Sequence, residues 1–230
     1  MALLGVLPAV LPAVLLLTAC APSPGASSDF DQVGKRIAAA PATSAPAPSP
    51  SPAAPHNVFP VHSGDVTYGR VHHDYPATDI FAPCGSAAVA PAAGRIVEVS
   101  TKDTWRSVTN AGEDRGGLSY ALAGVDGVRY YGSHLATLAP TTKPGQAVTA
   151  GQVLGTVGDT GSARGIACHL HFGLSPVCGS GDWWVRRGVL SPYPYLKAWQ
   201  QGTQRSPAPA VEAWRARHGC PSSSAAVPDA

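Results

Sequence analysis

The stretch Cys168–Pro176, with the sequence CHLHFGLSP, places two histidines on either side of a leucine in an apolar run. In a β-strand, residues i and i+2 point to the same face, so His169 and His171 would lie side by side. Leu170 and Phe172 would then point to the opposite face, into a core. Two imidazoles over one surface indicate a metal site or an acid/base pair. An isolated pair could equally be a loop cap and a solvated surface residue.

Short β-rich runs separated by glycine and aspartate turns fill the chain from Asn57 to Gln201. They are GRIVEVS, LSYALAG, VRYYGSHL, QVLGTVG and HLHFGLS. Asp126-Gly127 between two of these runs is typical of a hairpin, and no sustained helical periodicity occurs in this block. We therefore predict an all-β fold, an antiparallel sheet or sandwich, over residues 57–201. The following YLKAWQQG and VEAWRARHG predict short helices, and residues 202–230 are expected to be a helical and disordered extension.

The first nineteen residues, 1–19, are apolar and uncharged and are followed by Cys20. Two prolines and a small-residue end favour a secretory signal over a membrane span. Leu17–Cys20 resembles the bacterial lipobox, in which cleavage precedes the cysteine and its sulfur is lipidated. The absence of Lys and Arg before Cys20 departs from the usual signal. We predict a lipoprotein signal peptide, with a signal whose cysteine is incidental as the alternative.

Residues 20–56 are rich in alanine, proline and serine, as in APATSAPAPSPSPAAP. Such a composition cannot bury enough apolar area to fold, and its prolines favour an extended chain. We predict a disordered spacer that holds the folded domain away from a membrane.

Four cysteines remain beyond Cys20, an even number in a chain predicted to be exported: Cys84, Cys168, Cys178 and Cys220. This number predicts two disulfides, with three possible connectivities. We favour Cys168 with Cys178, because the two flank one predicted strand, which leaves Cys84 with Cys220.

Charge and cysteine spacing exclude two classes of function. The formal net charge is +2 and no run of basic residues occurs, so nothing indicates nucleic-acid binding. No two cysteines have the short spacing of a zinc finger. A monomer is assumed, since the sequence says nothing about oligomers.

Three separate segments carry histidines at predicted strand ends, where they could converge. His72–Phe81, with the sequence HHDYPATDIF, supplies two histidines and two carboxylates on a loop that leads into a strand. His134 ends the apolar run YYGSHL, and the HLH strand supplies the third segment. A catalytic zinc site needs three protein ligands and an open position for water, which these segments could provide.

In this order, the H…D loop, SHL, the glycine-rich GDTGSARG and HLHF resemble the lysostaphin-type (LytM-like) zinc endopeptidases, which cut peptide cross-bridges in bacterial cell walls. The likeness covers about residues 57–176. The block CGSGDWWVRRGVLSPYPYLKAW extends it towards an exported, actinobacterial-looking member. The resemblance implies a β-sheet fold with a groove, Zn²⁺ as cofactor and a peptidoglycan peptide as substrate.

The resemblance also implies a role for each histidine. Three residues would hold Zn²⁺: His73, Asp79 and His171. His169 would be left as the general base, and His134 would polarise or stabilise the developing oxyanion. The family's loop spaces its histidine and aspartate four apart around a glycine, whereas His73 and Asp79 are six apart with no glycine. A longer loop accounts for this departure and leaves His72 as an alternative ligand.

These observations predict a lipid-anchored zinc endopeptidase outside the cytoplasm, facing the cell wall and hydrolysing peptidoglycan stem peptides or cross-bridges. The first alternative is a non-catalytic LytM-like domain that binds the wall and activates a partner amidase. The second is a structural zinc domain with a closed four-ligand site that also uses His169. The sequence leaves open whether Trp183 and Trp184 line a groove or pack under a loop, and whether Arg186 and Arg187 meet substrate carboxylates or only solvent.

Overall fold

The computed structural model describes residues 56–70, 72, 73, 75–179 and 182–223. The predicted signal peptide, the lipidation of Cys20 and all of the predicted spacer except His56 lie outside the described residues. Over the part of the chain that is described, no helix has the length and apolar character needed to cross a membrane.

Ten strands of the described chain form one antiparallel sheet. They are β1 (Val61–His62), β2 (Thr67–Tyr68), β3 (Ala77–Phe81), β4 (Ala87–Val89), β5 (Gly94–Ser100), β6 (Leu118–Gly124), β7 (Val128–Leu138), β8 (Ala147–Val148), β9 (Val153–Val157) and β10 (His169–Pro176). All five runs predicted as strands are strands, and β6 and β7 are joined through Gly127 at positive φ. The predicted all-β, antiparallel fold is confirmed.

Strand β7 organises the sheet because three strands pair with it. β6 lies along one edge of β7. On the other edge β10 pairs with residues 128–133, and β9 takes over from Leu135 to Leu138. His134 is the residue at which β7 leaves one neighbour and meets the next. The ladders to β6 and to β9 both shift register close to this point. The pairing of β7 with its neighbours is therefore irregular at His134.

Strand β10 divides its side chains between the core and the opposite face, as the alternation of its sequence predicts. Leu170, Phe172 and Leu174 are fully buried in the main hydrophobic core. Burying each such side chain contributes about 1.5–3 kcal/mol. His169 and His171 occupy the alternate positions. The core thus fixes the face on which both imidazoles lie.

Three helices follow β10, two of them where short helices were predicted. They are α1 (Trp183–Arg186), α2 (Tyr193–Gln200) and α3 (Ala208–His218). Leu196 and Trp199 of α2 and Val211 of α3 belong to the same core as the sheet. The helices pack on the sheet and extend its core.

The cysteines pair as Cys84–Cys168 and Cys178–Cys220. Two disulfides form as predicted, but the favoured pairing of Cys168 with Cys178 is wrong. Those cysteines stand at opposite ends of β10, and an extended chain rises about 3.3 Å per residue. Their separation is therefore several times the roughly 5.5–6 Å between Cα atoms that a disulfide spans. The observed bonds tie the start of β10 to the turn after β3 and tie the segment after β10 to the end of α3.

Gly132 in the centre of β7 offers a test of this packing. A Cβ added there would lie 2.5 Å from the ring of Tyr120, which is 1% exposed and cannot move aside. Gly132→Ala should lower the free energy of unfolding by about 1–3 kcal/mol, measured by urea denaturation. Gly64→Ala is the matched control, because nothing lies within 4 Å of the added atom, and it should change stability by less than about 0.5 kcal/mol. Equal stability of the two variants would contradict the packing described for β7.

Candidate active site

Asp79 and His171 are brought together by strand pairing. They are direct partners in the antiparallel ladder between β3 and β10, so their side chains leave the sheet on the same face. His171 Nδ1 lies 2.9 Å from Asp79 Oδ1. His171 is 3% exposed. The register of two strands therefore sets the distance between an imidazole and a carboxylate.

His72 is the second histidine at this carboxylate. Its Nε2 lies 3.6 Å from Asp79 Oδ2, and its ring meets that of His171 edge-on at 4.9 Å between centroids. One ligand atom from each of the three residues lies within 4.8 Å of the others. His73, the ligand favoured from sequence, has an exposed side chain and is not in this group. The structure thus assembles the alternative set with His72.

The hydrogen bonds of His171 show why this group suits a cation. Its Nε2 lies 3.1 Å from the carbonyl oxygen of Arg187, and a carbonyl can only accept, so Nε2 carries the proton. In a neutral imidazole Nδ1 then presents a lone pair to the Asp79 carboxylate, which is also an acceptor. Two acceptors this close require a shared positive charge, either a proton or a metal ion. Two imidazoles and one carboxylate are a common catalytic zinc donor set.

Asp79 is held as a carboxylate by its neighbours. Burial raises its pKa, but the hydrogen bond from His171 and the nearby imidazoles outweigh burial and lower the pKa to about 2. The site therefore keeps this carboxylate ionised at any ordinary pH.

His169 lies beside this group on the same face of β10. Its Nδ1 is 2.8 Å from the carbonyl oxygen of Ala167, so Nδ1 is the donor and Nε2 of the neutral ring bears the lone pair. The ring is 5% exposed and packs against Phe81 at 5.1 Å. His169 has the tautomer that a general base needs.

His134, on β7, lies next to His169 and His171, and its backbone conformation is energetically unfavourable. Its φ is 65°, a left-handed conformation that costs a residue with a side chain about 1–3 kcal/mol. Two hydrogen bonds hold it, from its backbone N–H to Gly116 O at 2.9 Å and from Nδ1 to Thr160 O at 2.8 Å. Sequence reasoning placed His134 at a strand end, whereas it lies inside β7 at the change of partner strand.

The charge state of His134 limits its chemistry. Burial lowers its pKa, and the neighbouring His171 and His169 lower it further, to about 3. The ring is therefore neutral, with Nδ1 donating to Thr160 and Nε2 accepting. Stabilising an oxyanion, the role expected from sequence, would require a proton at Nε2 first. Ring centroids lie 4.9 Å from His169 and 6.0 Å from His171.

Several residues that support the site were not selected from sequence. Thr160, within the glycine-rich GDTGSARG, holds His134 through its carbonyl and anchors the Leu135 carbonyl through its hydroxyl. Tyr75 stacks on His72 at 4.5 Å. The glycine-rich motif was the available signal for Thr160. No sequence signal marked Tyr75, because its role depends on how the loop folds.

One pocket opens over these residues, and Trp183 forms part of its wall. The other residues in the wall include His72, Tyr75, His134, His171 and Arg187. Trp183 approaches Gly112, where an added Cβ would lie 2.2 Å from the indole. Trp184 turns away and donates its indole N–H to Pro221 O at 3.0 Å. The sequence left open whether these tryptophans line a groove or pack under a loop. Trp183 lines the groove, and Trp184 packs against the C-terminal segment.

Solved structures of two peptidases are similar to this chain. The catalytic domain of the antimicrobial peptidase lysostaphin from Staphylococcus simulans is 27% identical, with 57% of this chain and 92% of that chain covered and a TM-score of 0.44. A putative glycyl-glycine endopeptidase lytM from Ruminococcus gnavus is 21% identical, with 66% and 63% covered and a TM-score of 0.49.

Sequence comparison gives the family. An L-Ala–D-Glu endopeptidase of Bacillus subtilis is 31% identical over an alignment of 138 residues, with 58% of this chain and 37% of that relative covered. The chain thus matches little more than a third of the relative's length. The model of peptidase family M23 matches residues 73–181, a span that contains Asp79, His134, His169 and His171. The chain therefore contains a peptidase M23 domain, homologous to the L-Ala–D-Glu endopeptidase.

Proposed function

We propose that this protein is a zinc-dependent endopeptidase that hydrolyses peptide bonds of peptidoglycan stem peptides or cross-bridges. The observation that carries the proposal is a three-residue donor group with the imidazoles of His134 and His169 beside it. Two members of the group, His72 and His171, line the same pocket as His134. Titratable groups with shifted pKa values that cluster in a cleft are candidates for a functional site. The match of residues 73–181 to a peptidase family supports hydrolysis of a peptide bond as the reaction class.

The ligands in this proposal are His72, Asp79 and His171. A bound Zn²⁺ would supply a Lewis acid that polarises a peptide carbonyl and lowers the pKa of a coordinated water to about 7. The carbonyl of Arg187 fixes His171 in the tautomer whose Nδ1 faces the donor group. Such a second hydrogen bond on a ligating histidine sets its ring orientation and basicity.

His169 is the general base of the proposal. Its Nε2 accepts a proton from water as the water oxygen bonds to the peptide carbonyl carbon. The same proton then passes to the amide nitrogen as the C–N bond breaks, which gives a carboxylic acid and an amine. The second proton of the water then moves from the acid to the amine, so the products are a carboxylate and an ammonium group. Catalysis of this kind contributes about 10²–10⁴-fold. His134 Nε2 accepts a hydrogen bond and orients the water, because burial keeps its ring neutral.

The proposed location is outside the cytoplasm. All four described cysteines are in disulfides, which persist in oxidising compartments. A signal peptide and lipidation at Cys20 would place the domain on the outer face of the cell membrane, beside peptidoglycan. Two acyl chains would be needed for a stable anchor.

The ligand assignment is tested by zinc content. Wild-type protein reconstituted with zinc should bind it stoichiometrically, as measured by atomic emission after gel filtration. His72→Ala should lose the metal, because one of three protein ligands is removed. His73→Ala is the matched control and should keep it, since the side chain at 73 is exposed. The reverse pattern would restore the ligand set favoured from sequence.

The role of His169 is tested by separating zinc binding from turnover. His169→Ala should retain zinc and the wild-type melting temperature while kcat falls by about 10²–10⁴-fold. A closed structural site that uses His169 as the fourth ligand predicts instead that the variant loses both its metal and its fold. Zinc content, thermal unfolding and peptide hydrolysis of one preparation distinguish the two.

The activity itself is tested on purified peptidoglycan fragments. Digestion should release new peptide termini, identified by mass spectrometry, that disappear with a chelator and return when zinc is added. If zinc-loaded protein cuts no wall peptide but stimulates an amidase, the domain is a non-catalytic activator and the proposal is wrong.

A further inference from the structure

Arg187 is fixed at the active site by its backbone and its side chain together. It directly follows α1, and its carbonyl oxygen accepts the hydrogen bond from His171 Nε2 at 3.1 Å. Its guanidinium carbon lies 4.0 Å from the centre of the Tyr75 ring and 5.8 Å from that of Trp183. Cation–π contacts at these distances hold a guanidinium plane while leaving its edge available for hydrogen bonds.

Within the described part of the chain, this guanidinium has no acceptor. No hydrogen bond or ion pair is formed by it, and Nε is buried with no partner. A buried polar group without a hydrogen bond lowers stability, and more so when it is charged. Other arginines near the site do have partners: Arg164 pairs with Asp103 at 2.6 Å, and Arg115 Nε donates to Asn110 at 3.1 Å. Arg187 is thus placed and charged with no hydrogen-bond acceptor among the described residues.

The pocket around Arg187 favours an anion. Arg115 and Arg187 both line it, and Glu113 is the acidic residue in the same lining. Glu113 forms no ion pair with either arginine within the described residues. Asp79 is already engaged by His171 and His72. A negatively charged group entering the pocket would therefore meet two guanidinium groups and one carboxylate.

We propose that Arg187 determines specificity by binding a free carboxylate of the substrate peptide close to the bond that is cut. The inference rests on the proposed peptidase function and names its substrate class: peptides with a carboxylate near the scissile amide. A guanidinium matches a carboxylate through two parallel N–H···O bonds, which fix direction as well as distance.

The contacts of Arg187 place its guanidinium near the ring of His171, which limits where that carboxylate can lie. The Tyr75 ring, on which the guanidinium rests, is 5.7 Å from the ring of His171. An extended peptide covers about 3.3–3.6 Å per residue. A carboxylate roughly one or two residues from the cleaved amide would reach Arg187. A bond flanked only by neutral residues, as in a polyglycine bridge, would leave the guanidinium without an acceptor.

A purely structural role for Arg187 predicts a different outcome. Its contact with Tyr75, which in turn stacks on His72 at 4.5 Å, could simply hold the ligand loop. Removing the guanidinium would then impair zinc binding and would slow hydrolysis of every peptide alike. Only carboxylate recognition predicts a loss that depends on the substrate.

The experiment pairs one arginine change with one substrate change. Two forms of one stem-peptide muropeptide are compared, with the carboxylate nearest the candidate scissile bond either free or converted to the carboxamide. The zinc-loaded wild type should prefer the acid by tenfold or more in kcat/KM. Arg187→Gln should lose that preference through slower cleavage of the acid alone, and Arg187→Lys should recover part of it. Arg217→Gln, an exposed arginine of α3, should leave both rates unchanged.

Two results would overturn the proposal: no preference in the wild type, or equal losses on both peptides in Arg187→Gln. Calorimetric binding of the acid and amide forms to zinc-loaded protein gives an independent measurement. If neither peptide is cut, the proposed function fails, and tighter binding of the acid that disappears in Arg187→Gln would still support recognition by Arg187. Equal binding of the two forms would reject it.

Discussion

The pairing of Asp79 with His171 across β3 and β10 is the constraint on which the site depends. Side chains alternate along a strand, so a slip of one residue in this ladder would turn His171 into the core and bring a leucine or phenylalanine to the surface. Leu170 and Phe172, fully buried on the other face, make such a slip costly. The hydrophobic core therefore sets the register, and the register sets the distance between the imidazole and the carboxylate.

Much of this arrangement could be predicted from the alternation in CHLHFGLSP, because strand periodicity is a local property. Which histidine of the preceding loop joins Asp79 and His171 could not be predicted, since His72 and His73 are adjacent and their directions depend on how the loop packs. Tyr75, stacked on His72, contributes to that packing. The predicted pairing of Cys168 with Cys178 is wrong, and the sequence already contains the reason. A strand of eight residues separates the two cysteines, and it is too long for one disulfide to span.

The conformation of His134 is even harder to predict from local sequence patterns. Its left-handed conformation and its position between two partner strands follow from pairings with β9 and β10, which are remote in sequence. The strain is held by backbone and side-chain hydrogen bonds to Gly116 and Thr160. Strain of this kind persists where the surrounding structure over-determines it, and this position lies at the pocket.

The segment after β10 contributes both to the pocket wall and to the orientation of His171. Arg187 contributes a carbonyl to His171 and a guanidinium to the pocket wall, so one residue touches both. The Cys178–Cys220 disulfide fastens this segment to the end of α3, whose Val211 lies in the main core. Since a displacement of the segment would move the Arg187 carbonyl and its side chain together, the C-terminal helix and its disulfide act as part of the framework of the active site.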